Sequence, residues 1–180
     1  TLQCEILLVD DGSTDKSGEI CDDYASRYGL TVFHKPNGGL SDARNFALDR
    51  MKGSYVAFVD SDDFVEKDIF ATLYQLSKSE NAEIACCSFW ECNGTTKTKV
   101  SAGNATQSNV QFLKSLAEKD GYKNVVMWNK LFDARLFDGV RFPVGRIHED
   151  QAVIHLLAYK AKKSPLRTKP CTTPPTEGTT

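Results

Sequence analysis

Glu5-Ile6-Leu7-Leu8-Val9-Asp10-Asp11-Gly12-Ser13-Thr14-Asp15 is the stretch that decides the fold. Glu5–Asp10 is a short, nearly continuous apolar run ending on acid, the pattern of a buried parallel strand. Gly12 to Asp15 then breaks the strand and offers helix caps. Ile20, Tyr24 and Tyr28 recur four apart, which predicts a helix with that face on the core.

The same rhythm repeats downstream. Leu30–His34 reads as a second strand, Asn37-Gly38-Gly39 as a turn, and Ser41 or Asp42 as a cap for a helix that places Ala43, Phe46, Ala47 and Arg50/Met51 on the core. Tyr55–Asp60 (YVAFVD) is a third buried strand, Ile69, Leu73 and Leu76 mark a helix, and Glu83–Trp90 is another strand. Strands alternating with helices through short connections predict an α/β fold, a mostly parallel sheet with helices on both faces. Ligands of such sheets bind beyond the carboxyl ends of the strands. Here those ends carry Asp10-Asp11 and Asp60-Ser61-Asp62-Asp63.

After Trp90 the rhythm changes. Glu91–Ser108 is polar and reads as a loop, Val110–Lys119 as a helix, Trp128–Phe132 as a strand, and Glu149–Lys160 as a helix with Val153, Leu156 and Leu157 on one face. Three parts are expected: an α/β part over 1–92, a second part of the same domain over 93–163, and a disordered or aberrant Pro/Thr-rich tail over 164–180.

The 180 residues suit one domain, and 41% hydrophobic content is enough for a core. A net charge of -2 argues against nucleic acid as a partner, which calls for a basic stripe. No apolar run is long enough to span a bilayer. The cysteines Cys4, Cys21, Cys86, Cys87, Cys92 and Cys171 contain no C-x-x-C and read as reduced thiols, with Cys86 and Cys87 on opposite faces of a strand. Asn93-Gly94-Thr95 and Asn104-Ala105-Thr106 match the glycosylation sequon, a weak pattern with no other secretion signal beside it.

The acidic clusters carry the chemistry. At ~4 Å and an effective dielectric of ~20, a pair of carboxylates costs roughly 4 kcal/mol, so such a cluster favours a hard divalent cation. Asp60-x-Asp62 alone is more often a capped turn; following an apolar strand, it becomes a candidate site for Mg²⁺ or Mn²⁺ that in turn holds a diphosphate. Asp10-Asp11-Gly12-Ser13 is either a capped turn or an acceptor for a nucleobase N–H. Arg44 is either solvated or a phosphate contact over the same strand ends.

Together these residues resemble the family 2 glycosyltransferases, inverting enzymes of the GT-A fold, in particular bacterial members that build capsule, exopolysaccharide or O-antigen chains. The motifs are Asp10-Asp11-Gly12-Ser13-Thr14-Asp15, Asn37-Gly38-Gly39-Leu40-Ser41 with Ala43-Arg44-Asn45, Tyr55 to Asp63, Trp128-Asn129-Lys130-Leu131-Phe132 and His148-Glu149-Asp150, in the family's order. The resemblance implies that Asp11, with Asp10 beside it, recognises the base of a UDP-sugar, that Arg44 and Asp60 contact the nucleotide-sugar, and that Asp60 and Asp62 hold Mn²⁺ or Mg²⁺, with Asp62 the direct ligand. It implies Asp150 as catalytic base and places Trp128, Asn129 and Glu149 on the acceptor side; His148 is a candidate that is equally explained as structural. The partners implied are a nucleotide-sugar donor and a saccharide or lipid-linked acceptor, in the cytoplasm or peripherally at the inner face of the plasma membrane.

Two departures stand out. The family ordinarily opens with a further strand and helix before Glu5, so the sheet is expected to be incomplete at its N-terminal side. Pro165, Pro170, Pro174 and Pro175 also interrupt a region where the family is apolar. Rival readings are an inactive fragment of such an enzyme and a receiver-type phospho-switch domain, which Asp60-Ser61-Asp62-Asp63 and Glu149-Asp150 do not fit. A dinucleotide oxidoreductase lacks its G-x-G-x-x-G after the first strand.

Overall fold

The computed structural model describes residues 3–93 and 95–170. In chain order these form β1 (Leu7–Asp10), α1 (Ser17–Tyr28), β2 (Thr31–His34), α2 (Leu40–Leu48), β3 (Tyr55–Val56), α3 (Ile69–Glu80) and β4 (Ile84–Asn93). There follow β5 (Thr96–Val100), β6 (Thr106–Ser108), α4 (Asn109–Leu116), α5 (Tyr122–Val125), β7 (Lys130–Asp133), a 3₁₀ turn (Ala134–Phe137), α6 (Glu149–Lys160) and β8 (Lys163–Pro170).

The strands make two sheets. β1 and β2 pair in parallel, bringing Asp10 opposite His34. The larger sheet runs β3-β7-β4-β8-β6, with β5 on β4. The fold is α/β, and the expected parallel pairing is present at β1–β2 and at β4–β8. β7 lies antiparallel between β3 and β4, because the chain leaving β4 returns at the same end of the sheet and runs back beside it. Alternation along β4 sends Ile84 and Cys86 to one face and Ala85 and Cys87 to the other. The first face is covered by α4 and α6 through Phe112, Val153, Ile154 and Leu157, the second by α3 through Ile69 and Leu73.

Several local expectations are corrected. Ile20, Tyr24 and Tyr28 are exposed and α1 buries nothing, because a two-stranded sheet offers too little surface to cover the helix. The buried face of α2 is Ser41, Arg44 and Leu48, so the motif arginine points inward; its N-cap is Gly39, with no side-chain cap. Tyr55–Asp60 is a strand only over Tyr55–Val56. On α6, Val153 and Leu157 are buried while Leu156 faces out. The expected loop at 91–108 contains β5 and β6. Part of the expected loose tail is a strand, Lys163–Pro170, because β4 offers it a parallel edge and β6 closes its other side; 171–180 lie outside the described residues. Cys4, Cys21, Cys86 and Cys92 are not in disulfides, but Cys87 is disulfide-bonded, contrary to the reduced state expected.

An aromatic knot ties this frame together beneath the candidate site. Phe58 meets Phe132, Phe137 and Phe142 at centroid distances of 6.4, 5.9 and 5.5 Å, all edge-on. Such pairs contribute about 0.5–1.5 kcal/mol each beyond their burial.

Candidate active site

Arg44 is the hub. Its guanidinium is 6% exposed and lies over the rings of Phe58 (5.6 Å) and Phe142 (5.3 Å). Held there, Nη2 donates to Asp60 Oδ1 at 3.0 Å, while Nη1 donates to Glu149 Oε1 at 3.0 Å and to Asp150 Oδ1 at 2.5 Å. Three carboxylates from two distant segments thus share one buried cation. Glu149 and Asp150 come from the first turn of α6, where the helix dipole favours negative charge. The other oxygen of Asp150 accepts the Met127 backbone N–H at 3.3 Å. Burial pushes the Asp150 carboxyl above its ordinary value of 3.8; Arg44 opposes this and the negative Glu149 adds to it.

Asp60 and Asp62 line a cavity of about 540 Å³ between the β1 and β3 edges, together with Arg44, Leu7, Val9 and Val56. Among the described residues β1 and β3 are not hydrogen-bonded to one another. Asp63 sits close behind: burial, then the charges of Asp60 and Asp62, push its carboxyl upward. Among the described residues no group of three or more His, Cys, Asp and Glu side chains forms a metal cage. Two carboxylates on one open cavity fit a cation that takes its remaining ligands from phosphate and water.

Asp10 and Asp11 do not line that cavity. Asp10 accepts the Ser13 N–H at 3.0 Å and faces His34 Nδ1 at 2.8 Å; those contacts lower its pKa to about 2. His34 Nε2 in turn faces Asp22 at 2.9 Å, and the two carboxylates raise the imidazole pKa. Asp11 accepts Gly38 N–H at 3.0 Å, Gly39 N–H at 2.7 Å and the Lys35 ammonium, which also pairs with Asp42. Its carboxylate therefore anchors the loop that starts α2, and so positions Arg44. Gly12 makes the approach possible: at φ 74°, its added Cβ lies 2.7 Å from the Asn37 backbone nitrogen.

On the other side, Trp128 is half-buried, its ring edge-on to Phe89 at 4.6 Å. Asn129, expected on the same side, is 1% exposed, with Nδ2 donating to the Cys87 carbonyl at 2.9 Å, so it pins its segment to β4. A buried amide needs both of its ends satisfied. His148 is exposed in a left-handed conformation (φ 57°) with no capping bond, and makes the turn into α6. Of Asp11, Asp62 and Asp150, only Asp62 lines this cavity, and Arg44 joins Asp60, on the same cavity, to Asp150. Sequence reasoning passed over His34, Lys35 and Phe142. His34 ends β2 and Lys35 follows it, so both stand beside Asp10 and Asp11 through the parallel register; Phe142 carries no local signal.

Residues 1–144 match the family described as Glycosyl transferase family 2. The chain is 39% identical over 156 residues to Glycosyltransferase GlyA of Streptococcus pneumoniae serotype 4, covering 81% of this chain and 22% of that protein. It is 33% identical over 170 residues to Glycosyltransferase GlyG of the same organism, covering 88% and 56%. The chain thus spans about a fifth and just over half of these relatives. The crystal structure of S. aureus TarS 1-349 in complex with UDP-GlcNAc is similar in fold, with a TM-score of 0.74 at 22% identity over 96% of this chain and 50% of that one.

Proposed function

The chain belongs to glycosyltransferase family 2, and from that premise we propose that it moves a sugar from a nucleotide-sugar, a UDP-sugar, to a hydroxyl of a saccharide or lipid-linked acceptor, with inversion, in cell-surface polysaccharide synthesis. The observation that carries this reading is the contact of one guanidinium with both Asp60 and Asp150. It supports a donor end and a base end that meet in one place.

In this reading Asp150 takes the proton of the attacking hydroxyl, and the nucleoside diphosphate leaves from the opposite face of the sugar. General-base assistance contributes roughly 10²–10⁴-fold. Burial raises the basicity of Asp150, and Arg44 keeps it ionised and oriented. Arg44 also lies beside the cavity, where its charge favours a diphosphate. Asp60 and Asp62 are the residues that would hold Mn²⁺ or Mg²⁺, which supplies Lewis-acid stabilisation of the leaving diphosphate. Asp10 and Asp11 fix the loops around the nucleotide; for either to accept a base N–H, a ligand must share or displace its present partners.

Among the described residues no helix is long and apolar enough to cross a membrane. A cytoplasmic site, at the inner face of the plasma membrane, is our reading for the reaction. The Cys87 disulfide stands against it; thiol counting on protein purified under conditions that trap its cellular redox state tests the point, and a disulfide formed in vivo overturns the location. The reaction itself is tested by screening nucleotide-sugars, with UDP-GlcNAc first, for binding by calorimetry with Mn²⁺ and with chelator. Metal-dependent binding of a UDP-sugar is the expected result; equal binding in chelator, or none of any nucleotide-sugar, contradicts the proposal.

A further inference from the structure

Lys130 is 1% exposed, and its Nζ donates to two neutral oxygens, the Val126 carbonyl at 2.5 Å and Asn129 Oδ1 at 2.7 Å. Among the described residues the hydrogen-bond acceptors of this buried ammonium are neutral, a costly arrangement, and an apolar side chain of similar length fills the same space without that cost. The place of the cation explains its presence. The Val126 carbonyl and the Met127 N–H belong to the same peptide unit, and that N–H donates to Asp150 Oδ2 at 3.3 Å. The ammonium therefore grips one end of a peptide dipole whose other end grips the catalytic carboxylate.

The peptide has little freedom otherwise to be held there. α5 ends at Val125, and β7 begins at Lys130, so 126–129 is a bare connection. Its far end is pinned to β4 by a reciprocal pair: the Cys87 N–H donates to the Asn129 carbonyl at 3.1 Å, and Asn129 Nδ2 donates to the Cys87 carbonyl at 2.9 Å. Asn129 Oδ1 is left for Lys130. A cation at the carbonyl end polarises a peptide and strengthens its N–H as a donor.

We propose that Lys130 is a positioning residue for transfer, acting through the Val126–Met127 peptide to orient Asp150 and stabilise its anion. The proposal rests on the reading of Asp150 as base. The groups facing Asp150 are Arg44 from α2, Glu149 on its own helix, the Met127 N–H, and Lys130 at longer range. Burial pushes the ammonium of Lys130 downward, while Cys86 and Asp150 act to keep it charged.

The test is the titration of the Asp150 carboxyl carbon by ¹³C NMR in the full chain without ligand, assigned with Asp150→Asn. Lys130→Met and Lys130→Gln are expected to move the Asp150 midpoint to higher pH, and Lys130→Arg, which keeps the charge, to move it less. The Gln variant retains a donor for the Val126 carbonyl and keeps the test readable if the Met variant does not fold. An Asp150 midpoint unchanged in the Gln variant overturns the proposal. Turnover, assayed with UDP-GlcNAc, is expected to fall roughly 10- to 100-fold in kcat, as when an orienting partner of a reactive group is lost, with donor KM nearly constant. Transfer that survives Asp150→Asn breaks the base reading instead, so the two failures are distinguishable.

Discussion

Arg44 and Asp150 are joined side chain to side chain, Nη1 to Oδ1 at 2.5 Å, across 106 residues of sequence. The contact fixes the start of α6 to the buried face of α2. Because the same guanidinium also holds Asp60, the charge state of one end of the site is felt at the other.

Removing that cation strands three largely buried carboxylates. Arg44→Met is expected to lower stability by about 3 kcal/mol at neutral pH, the lower end for a broken buried pair, since Asp150 can relieve part of the cost by taking a proton. The loss shrinks in mildly acidic buffer as Asp150, its pKa already raised by burial, takes its proton. Urea unfolding at the two pH values measures both effects; a penalty that grows toward acid contradicts the assignment.

In the proposed role Asp150 works as a base only when ionised, so kcat is expected to rise with pH through its pKa, which burial raises above 3.8. Glu149 contributes to that elevation, and Glu149→Gln should therefore shift the acid limb of the rate profile to lower pH. The pH dependence of turnover in the two proteins reads the shift. A limb displaced upward has the wrong sign for this account.

Asp62 faces the cavity, and the carboxylates bonded to Arg44 among the described residues are Asp60, Glu149 and Asp150, so loss of Asp62 spares the ion cluster. Asp62→Ala should weaken donor binding in Mn²⁺ while leaving thermal stability near that of the parent. Calorimetry with UDP, with and without chelator, separates the cases. Unchanged affinity in metal moves the metal role to other carboxylates.

The Asp10–His34–Asp22 chain sets a pH window for stability. His34 has a raised folded pKa, so its contribution is complete below its unfolded value near 6.5 and is lost as pH climbs through the higher folded value. Asp10 is the reverse: with its pKa lowered to about 2, its contribution is present above 3.8 and lost as pH falls toward 2. His34→Ala should flatten the neutral-to-alkaline part of the stability curve. A variant curve parallel to the parent's would remove His34 from this role.

Gly12→Ala combines a left-handed backbone with a close approach to Asn37. A cost of about 1–3 kcal/mol is expected, with the Asp11 anchor loosened and donor affinity reduced. Denaturant unfolding decides it: full stability in the alanine variant means that the two loops are not packed as described.

The α/β class was legible because apolar runs at Glu5–Asp10 and Leu30–His34 alternate with helical periodicity, and they form the parallel pair β1–β2; the run at Tyr55–Asp60 overstated its strand, which is Tyr55–Val56 alone. Arg44, Asp60, Glu149 and Asp150 stood out through motif order, but their joining in one ion cluster was not legible. Arg44 gave no sign of facing inward, since its burial depends on Phe58 and Phe142, the latter 98 residues away. The burial of Asn129 was not legible, because a polar residue beside Trp128 carries no mark of the β4 carbonyl that it bonds. α1 misled because periodicity states which face is apolar, and not how much sheet stands ready to cover it. The β8 strand was hidden by its two prolines, which mask pairing that the neighbouring strands supply.

The most direct test is Asp150→Asn, assayed side by side for donor binding and for transfer with the UDP-sugar that binds the parent best. Our account expects affinity for the donor to stay within about twofold while transfer falls by roughly 10²–10⁴-fold. Transfer at the parental rate in that variant contradicts it.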